Sequence, residues 1–386
     1  MRILHTADWH LGRILHEYSL LDDQAHALDQ IVAAAGRERP DVVIVAGDVY
    51  DRSVPPTDAV DLLNRTLNRI VGELRIPTVV LAGNHDSGTR LDFGAALLRG
   101  AGLHLCGRPE PDTRPLEIAC ADGGTLHVCP MPFSEPARVR ELDPEADVRS
   151  HDEAHAWWAA RYAELLPEGA VAVAVAHTFV TGGVISDSER SLTVGGTEQV
   201  SAEHFGPFAY TALGHLHRPQ HCGHERVRYS GSLLKYSLSE AKHDKGFTLV
   251  DIAPDGARVE IRHVDIRPRR DVRVVTGTWN EVLAAAKGGN GNREDYVFVQ
   301  LAEDAMPVEA ERQLRAHYPN ILEVARVRRA PVGAAAQAAH DLRGLSDLDL
   351  FRTFYEHVRR EPLPPGSEQE KALIEVLESM NSEEQA

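Results

Sequence analysis

Five short clusters of polar residues carry side chains that could do chemistry together. They read DWH at 8–10, GDVYD at 47–51, GNHD at 83–86, AH at 176–177 and GHLH at 214–217. The clusters offer carboxylate, amide and imidazole groups without a thiolate, a mixture that suits manganese, iron or zinc rather than calcium. The candidate residues are Asp8, His10, Asp48, Asn84, His85, His177, His215 and His217. Together they predict a metal centre.

Each cluster taken singly has an ordinary structural explanation. Asp8 and His10 could be a surface pair, and the two histidines of GHLH could be satisfied beside a turn glycine. His177 ends an apolar run and by itself is more typical of a buried structural histidine. A strand-terminal Asn-His-Asp, in contrast, is an unusual turn sequence. The ordered occurrence of all five clusters favours the metal centre over the separate explanations.

The elements that must position the clusters are short runs rich in β-branched residues. Runs at 3–8, 42–48, 78–84, 171–177 and 210–217 end in polar residues and predict buried strands. Apolar spacing predicts a helix at 57–74. This alternation predicts a layered α/β domain with ligands beyond the carboxyl ends of its strands. In DWH and GHLH, an extended backbone would place both ligand side chains on the same face.

The pattern of elements changes near Arg267. We expect the main domain to cover 1–266 and a small α+β domain to cover 267–330, with a helix over Trp279–Lys287. An alanine-rich linker is predicted at 331–345. Residues 346–386 predict a tail of two amphipathic helices around the break PLPPG.

Charge and composition bound the possible functions. The chain of 386 residues has a formal net charge of −17, which by itself argues against binding the phosphate backbone of nucleic acid. Arginine clusters within 267–273 and 326–329 keep a polyanionic substrate possible, although solvated surface arginines are the more ordinary explanation. The sequence shows no charged leader, long apolar run or paired cysteine spacing, so a cytoplasmic protein is expected.

In order along the chain, DWH, GDVYD, GNHD, AHT and GHLH resemble the signature of the calcineurin-like metallophosphoesterases. The resemblance implies a layered β-sandwich flanked by helices and a centre with two divalent metal ions, bridged by Asp48. The implied ligands are Asp8, His10, Asp48 and His217 for one ion and Asp48, Asn84, His177 and His215 for the other. His85 matches the family residue that stabilises the transition state or protonates the leaving oxygen, so it is the expected general acid.

One position departs from the archaeal and eukaryotic relatives, which have a histidine where this chain has Asp51. In the related protein phosphatases, the string GDxxDR supplies an aspartate that orients the GNH histidine. GDVYDR at 47–52 has that form. The resemblance therefore implies that Asp51 supports His85 and that Arg52 lies near the substrate phosphate. Both residues could instead be ordinary turn residues.

Longer strings, MRILHTADWHLGR at 1–13 and YSGSLLKYSLSE at 229–240, are similar to the nuclease subunits of bacterial complexes that process DNA ends. This closer resemblance is dense up to residue 240 and looser beyond it. It implies a manganese-dependent exonuclease on double-strand ends and an endonuclease on single strands and hairpins. It also implies that 267–330 caps the active site, that the tail binds a coiled-coil ATPase, and that the chain is a homodimer within a heterotetramer.

Two other interpretations remain open. The same centre could serve a phosphomonoesterase or a cyclic-nucleotide phosphodiesterase, which the extra domain and the helical tail disfavour. A non-catalytic scaffold would keep the fold for binding alone, which the intact ligand set disfavours. The sequence favours a metal-dependent DNA nuclease that works with an ATPase partner on the DNA of the nucleoid.

Overall fold

The computed structural model describes residues 1–110, 113–133, 135–189, 199–289, 291–302 and 309–326, together with the single residues 355, 363, 364, 367, 369 and 371. The predicted linker at 331–345 lies outside the described residues. The predicted tail at 346–386 is described only at the six single residues. The linker and the two tail helices therefore stay predictions.

The described strands form two six-stranded sheets, one three-stranded sheet and two short pairs. In chain order the strands are β1 (Arg2–Thr6), β2 (Ile14–Leu15), β3 (Tyr18–Ser19), β4 (Val42–Ala46), β5 (Thr78–Leu81), β6 (Leu103–Cys106), β7 (Leu116–Ala119), β8 (Thr125–Met131), β9 (Val171–His177), β10 (Phe179–Val180), β11 (Gln199–Val200), β12 (Tyr210–Gly214), β13 (Gln220–Cys222), β14 (His224–Tyr229), β15 (Gly246–Ile252), β16 (Val259–Asp265), β17 (Val272–Gly277), β18 (Tyr296–Leu301) and β19 (Ile321–Arg326). The first large sheet has the order β16-β15-β1-β4-β5-β6, and the second has the order β13-β14-β12-β9-β8-β7. Strands that precede polar clusters are parallel neighbours, so their carboxyl ends share an edge.

Helices connect and cover the sheets. Those of the described residues are α1 (Leu21–Glu38), α2 (Thr57–Leu67), α3 (Gly88–Leu91), α4 (Ala95–Arg99), α5 (Pro136–Leu142), α6 (His151–Leu165), α7 (Trp279–Lys287) and α8 (Ala310–Arg315). The helix predicted at 57–74 is α-helical only as far as Leu67 and continues as a π-helix over Asn68–Glu73. None of the helices in the described ranges has the length and apolar character needed to cross a membrane.

Apolar side chains fill the space between the two large sheets. Ile3, Ile44 and Val79 of the first sheet form one buried cluster with Val128 and Val173 of the second. The outer face of the first sheet packs against α1 and α2, and the outer face of the second packs against α6. This layering is a β-sandwich flanked by helices, which confirms the expected fold class.

The strands stop before the residues that carry the chemistry. β1 ends at Thr6, β4 at Ala46 and β5 at Leu81, whereas the predicted strands ran on to residues 8, 48 and 84. The polar residues therefore lie in the loops that follow these strands. Loops on a rigid sheet edge can aim side chains at a common point, which a regular strand cannot.

The residues after Arg267 build a small α+β domain, as predicted. Its sheet has the order β17-β18-β19, and α7 has the predicted bounds and begins in a capping box made by Thr278 and Glu281. Asp23 of α1 accepts hydrogen bonds from Arg270 and Tyr296, which tie the small domain to the sandwich. Residues Met1–Leu301 and Pro307–Ala325 form one compact unit. The boundary at 267 itself stays a prediction.

The buried contact between the sheets generates a stability prediction at Ile44, which is 0% exposed. We expect Ile44→Ala to lower the free energy of unfolding by about 2–5 kcal/mol, because it leaves a cavity between two rigid layers. Ile14→Ala is the matched control, since Ile14 is 53% exposed, and its effect should stay within about 0.5 kcal/mol. Urea unfolding followed by circular dichroism measures both. Equal effects of the two substitutions would contradict the assignment of Ile44 to the inter-sheet core.

Candidate metal centre

The eight candidate residues converge at the edge where the carboxyl ends of both large sheets meet. Asp8, His10, Asp48, Asn84 and His85 follow strands of the first sheet, and His177, His215 and His217 end or follow strands of the second. All but Asn84 are buried. The register that pairs Gly214 with His177 brings the last two clusters side by side. Residues as far as 209 positions apart in the sequence thus share one site.

The local backbone of the ligands differs from the expected extended form. Asp8, His10 and Asp48 have positive φ values of 52°, 45° and 48°, and His215 has a φ of 107°. The prediction that DWH and GHLH present their ligands by strand alternation was therefore wrong. Such conformations are costly for residues other than glycine and are retained mainly at functional sites. Here the left-handed turns bend the chain so that carboxylates and imidazoles face one another.

Asp48 has the geometry of a bridging ligand. Its Oδ2 lies 3.6 Å from His10 Nε2 and 3.5 Å from His177 Nε2, while its Oδ1 accepts a hydrogen bond of 2.9 Å from the His85 main chain. Burial raises the pKa of this carboxyl, but the neighbouring His177 outweighs burial and holds the pKa well below its ordinary value. The carboxylate is therefore charged and faces both halves of the site.

Asn84, His177 and His215 form one half of the site. The Asn84 Oδ1 lies 3.0 Å from His177 Nε2 and 3.2 Å from His215 Nδ1. His177 Nδ1 donates to the Ala46 carbonyl at 2.9 Å, which leaves Nε2 directed into the site. Burial lowers the pKa of His177, but the charge of Asp48 prevails and raises it to about 9. The negative potential that favours a proton there also favours a metal cation.

The other half of the site contains polar atoms that the protein alone does not satisfy. His10 Nε2 and His217 Nε2 face each other at 3.0 Å. Asp8 Oδ2 and His10 Nδ1 are buried and have no hydrogen-bond partner within the described ranges. Burial raises the pKa of Asp8 to about 7. Buried groups of this kind are costly unless a cation binds them, so the residues present fit divalent metal ions well.

His85 lies beside the ligands with its ring fixed by the main chain. Its Nδ1 donates to the Asp51 carbonyl oxygen at 2.8 Å, and its Nε2 points into the site at 4.0 Å from Asp48 Oδ2. The contact of Asp51 with His85 is therefore made by its main chain. Its carboxylate accepts from Arg13 at 3.0 Å and lies 3.8 Å from His10 Nδ1. Arg52 is exposed.

Several supporting residues were not identified from the sequence. The Gln24 amide donates to the His10 carbonyl at 2.7 Å, and the Tyr236 hydroxyl donates to the Trp9 carbonyl at 2.6 Å. Glu240 is buried against His217. Glu240 and Tyr236 belong to the string YSLSE, which contributed to the resemblance without a role assigned to it. Only their contacts in the folded chain show what they do.

Asp86 joins two of the ligand loops. Its carboxylate accepts main-chain hydrogen bonds from Val49, Tyr50 and Gly83 at 2.9–3.0 Å. These contacts agree with a supporting role rather than a ligand role. The loops after β4 and β5 are therefore held at a fixed separation, which sets the distance between Asp48 and Asn84.

The first arginine cluster is largely neutralised. Arg270 pairs with Asp23, Arg273 pairs with Asp295 at 2.8 Å, and Arg269 lies 3.5 Å from Asp22. These contacts favour the ordinary interpretation of this cluster as paired surface arginines over a basic patch. Of the second cluster only Arg326 is described; residues 328 and 329 lie outside the described residues.

Comparison with known proteins identifies the class. Residues 1–219 match the calcineurin-like phosphoesterase family, and residues 268–359 match the type 5 capsule protein repressor C-terminal domain. The chain belongs to the calcineurin-like phosphoesterases and is a metal-dependent phosphoesterase. It is 32% identical over 380 residues to SbcD, the nuclease component of SbcCD, from Staphylococcus saprophyticus, covering 98% of this chain and 99% of that protein. Within the phosphoesterases, the chain therefore belongs to the SbcD family.

Solved structures give weaker similarities. A Thermus thermophilus protein is 14% identical and covers 69% of this chain and 99% of its own, with a TM-score of 0.40. A dimetal phosphatase from Danio rerio is 13% identical and covers 69% of this chain and 96% of its own, also with a TM-score of 0.40.

The close approach of Gly47 to His177 generates a prediction for the centre. Gly47 has a φ of +91°, and a Cβ there would overlap the His177 ring. We expect Gly47→Ala to displace His177 from the Ala46 carbonyl and weaken Mn²⁺ binding about 10–100-fold, as loss of a ligand's supporting contact does. Gly72→Ala is the control, because nothing lies within 4 Å of a Cβ at that glycine. Isothermal titration calorimetry measures both, and unchanged affinity in Gly47→Ala would contradict the placement of His177.

Proposed function

We propose that this chain is the nuclease subunit of an SbcCD-type complex, which cleaves DNA ends and hairpins by phosphodiester hydrolysis. The observation that carries the proposal is the set of seven buried or partly buried ligand side chains around Asp48, with His85 beside them but held by the main chain. The similarity to an SbcD over 98% of the chain supports DNA as the substrate, since it includes the regions beyond the phosphoesterase core. A small-substrate phosphoesterase would not need those regions.

The ligand residues have distinct tasks in this proposal. Asp8, His10, Asp48 and His217 would hold one metal ion, and Asp48, Asn84, His177 and His215 would hold the other. Two such ions, when bound, activate water and neutralise charge on the attacking and leaving oxygens. The donor set of carboxylate, amide and imidazole suits Mn²⁺, which we propose as the metal.

His85 is the proposed general acid. Its Nδ1 proton is donated to the Asp51 carbonyl oxygen, so the ring is held with Nε2 toward the site. A second proton on Nε2 can pass to the leaving oxygen of the scissile phosphodiester, and the same carbonyl stabilises the charged ring before transfer. Asp51 would therefore act on His85 through its main chain, while its carboxylate positions Arg13. Arg52 is exposed and free to approach a substrate phosphate in this proposal.

The partner in this proposal is an SbcC-type coiled-coil ATPase. The match at 268–359 extends from the small domain into the predicted tail, which supports a shared partner-binding region. We assign docking on the ATPase to the predicted helices at 346–386, which lie outside the described residues apart from single positions. The small domain at 267–330 would cap the active site. The complex would act on nucleoid DNA in the cytoplasm.

A homodimer is also proposed, from an exposed apolar patch between α2 and α4. Phe93 is 86% exposed and Leu97 is 87% exposed. The patch consists of Val54, Val60, Phe93, Leu97 and Leu98. Contiguous exposed apolar side chains of this size mark a protein contact, and a second copy of the chain is the simplest self-complementary occupant.

The nuclease proposal is tested with His85→Gln, the purified full chain, Mn²⁺ and two substrates. We expect the variant to cleave end-labelled duplex DNA on the order of 10²–10⁴-fold more slowly than the wild type, because the leaving oxygen loses its proton donor. Mn²⁺ binding should be retained, since His85 is not a ligand. His221→Gln, at an exposed histidine, is the control and should cleave at the wild-type rate. Efficient hydrolysis of an aryl phosphate by wild type that leaves DNA intact would refute the nuclease assignment.

The dimer proposal is tested by placing charge in the patch. We expect the double substitution Phe93→Asp and Leu97→Asp to convert a dimer into a monomer, because like charges would face each other across the two-fold axis. Leu165→Asp on α6, where Leu165 is 36% exposed, is the control and should leave the dimer intact. Sedimentation equilibrium measures the mass. A wild-type monomer at all concentrations would rule out this assignment.

A further inference from the structure

A buried polar cluster lies behind His217, on the side away from the other ligands. Ser188 Oγ is 2.7 Å from His217 Nδ1 and also donates to Glu240 Oε1, which lies 3.4 Å from the same ring nitrogen. Lys245 Nζ donates to Glu240 Oε2, to the His217 carbonyl at 2.7 Å and to Ser232 Oγ at 2.8 Å. These residues come from three separate segments of the chain. Their convergence on one ligand is a feature that family membership does not explain.

The protons of the cluster have a defined order. His217 Nε2 faces His10 Nε2 at 3.0 Å, so its lone pair must be free for it to serve as a ligand. The ring proton then lies on Nδ1, which donates to Ser188 Oγ. Ser188 in turn donates its own proton to the Glu240 carboxylate, which can only accept. The chain of hydrogen bonds runs in one direction, from the ligand to the buried carboxylate.

The charges of the cluster are balanced within it. Glu240 is 0% exposed and Lys245 is 6% exposed, so each would be strongly destabilising alone. Burial raises the pKa of Glu240, but Lys245 outweighs burial and holds the pKa well below its ordinary value. The carboxylate therefore stays charged and remains an acceptor. A carboxylate that accepts from a metal-binding histidine fixes the ring orientation and makes the histidine a stronger ligand.

We propose that Ser188, Glu240 and Lys245 are positioning residues that hold His217 in its Nδ1-protonated form and set the affinity of one of the two metal ions. The inference rests on the proposed two-metal centre and extends it to residues that do not touch the ions. Lys245 neutralises Glu240 and fixes the His217 main chain. Ser188 transmits the carboxylate's orientation to the ring.

The alternative is that the cluster is only a structural ion pair. The pair of Asp23 with Arg270 offers a matched control, because Asp23 is 1% exposed and its carboxylate accepts from Arg270 and Tyr296. Removing the charge of either buried carboxylate should destabilise the fold. Only removal of Glu240 should change metal binding.

The experiment compares Glu240→Gln, Ser188→Ala and Asp23→Asn in the full chain. Isothermal titration with Mn²⁺ measures metal affinity, and ¹H–¹⁵N spectra of the metal-free protein report the histidine tautomers. We expect one metal ion to bind about 10–100-fold more weakly in Glu240→Gln, with a smaller effect in Ser188→Ala, because Glu240 can still approach the ring directly. The His217 signals should shift toward a mixture of tautomers in both variants. Asp23→Asn should lower the unfolding temperature without changing either readout.

Ser188→Ala keeps the ion pair intact, so it tests the inference even if Glu240→Gln does not fold. Restoration of affinity by Ser188→Thr, which keeps the hydroxyl, would support the relay. Wild-type metal affinity together with an unchanged His217 tautomer in Ser188→Ala would overturn it. Because metal binding is read without DNA, a wild type that binds both ions but cuts no DNA would remove the nuclease proposal and leave the relay standing. A wild type that binds no divalent ion would overturn both.

Discussion

Two buried carboxylates, Asp8 and Asp48, set the main physical constraint on this protein. Each is at most 2% exposed, and such groups are tolerated only when cations or donors compensate them. Imidazoles from both sheets and main-chain donors such as His85 N and His215 N surround them. Metal ions would complete this compensation. The layered fold, the left-handed turns and the buried supporting residues can all be understood as ways to assemble this charge pattern.

The two sheets must approach closely to bring the ligands within reach. Glycines make this possible at the point of contact: a Cβ at Gly214 would overlap the Ala46 carbonyl, and one at Gly47 would overlap the His177 ring. The first sheet then supplies Asp48, and the second supplies His177, at 3.5 Å. The large sheets are rigid because their shared core is buried, so small changes at the contact are transmitted directly to the centre.

The acidity of the chain, which at first argues against DNA, has a partial explanation in the fold. Carboxylates such as Asp23 and Asp295 are paired with arginines of the small domain. Others, such as Asp8 and Asp48, lie in the centre, where metal ions would reverse the local charge. Net charge describes the chain from a distance, whereas a substrate phosphate would meet the local potential of a metal-loaded site.

By itself, the sequence determined the layered α/β class, the order of the five ligand-bearing strands and the small α+β domain with α7. It could do so because strand and helix periodicities, β-branched runs and polar strand ends are local properties. Tertiary structure alone decided how the ligands are aimed, because the positive φ values at Asp8 and His10 are stabilised by contacts between loops. It also decided that Asp51 meets His85 through its main chain and that Glu240 supports His217. Those contacts join residues 23 to 34 positions apart, where no local periodicity carries information.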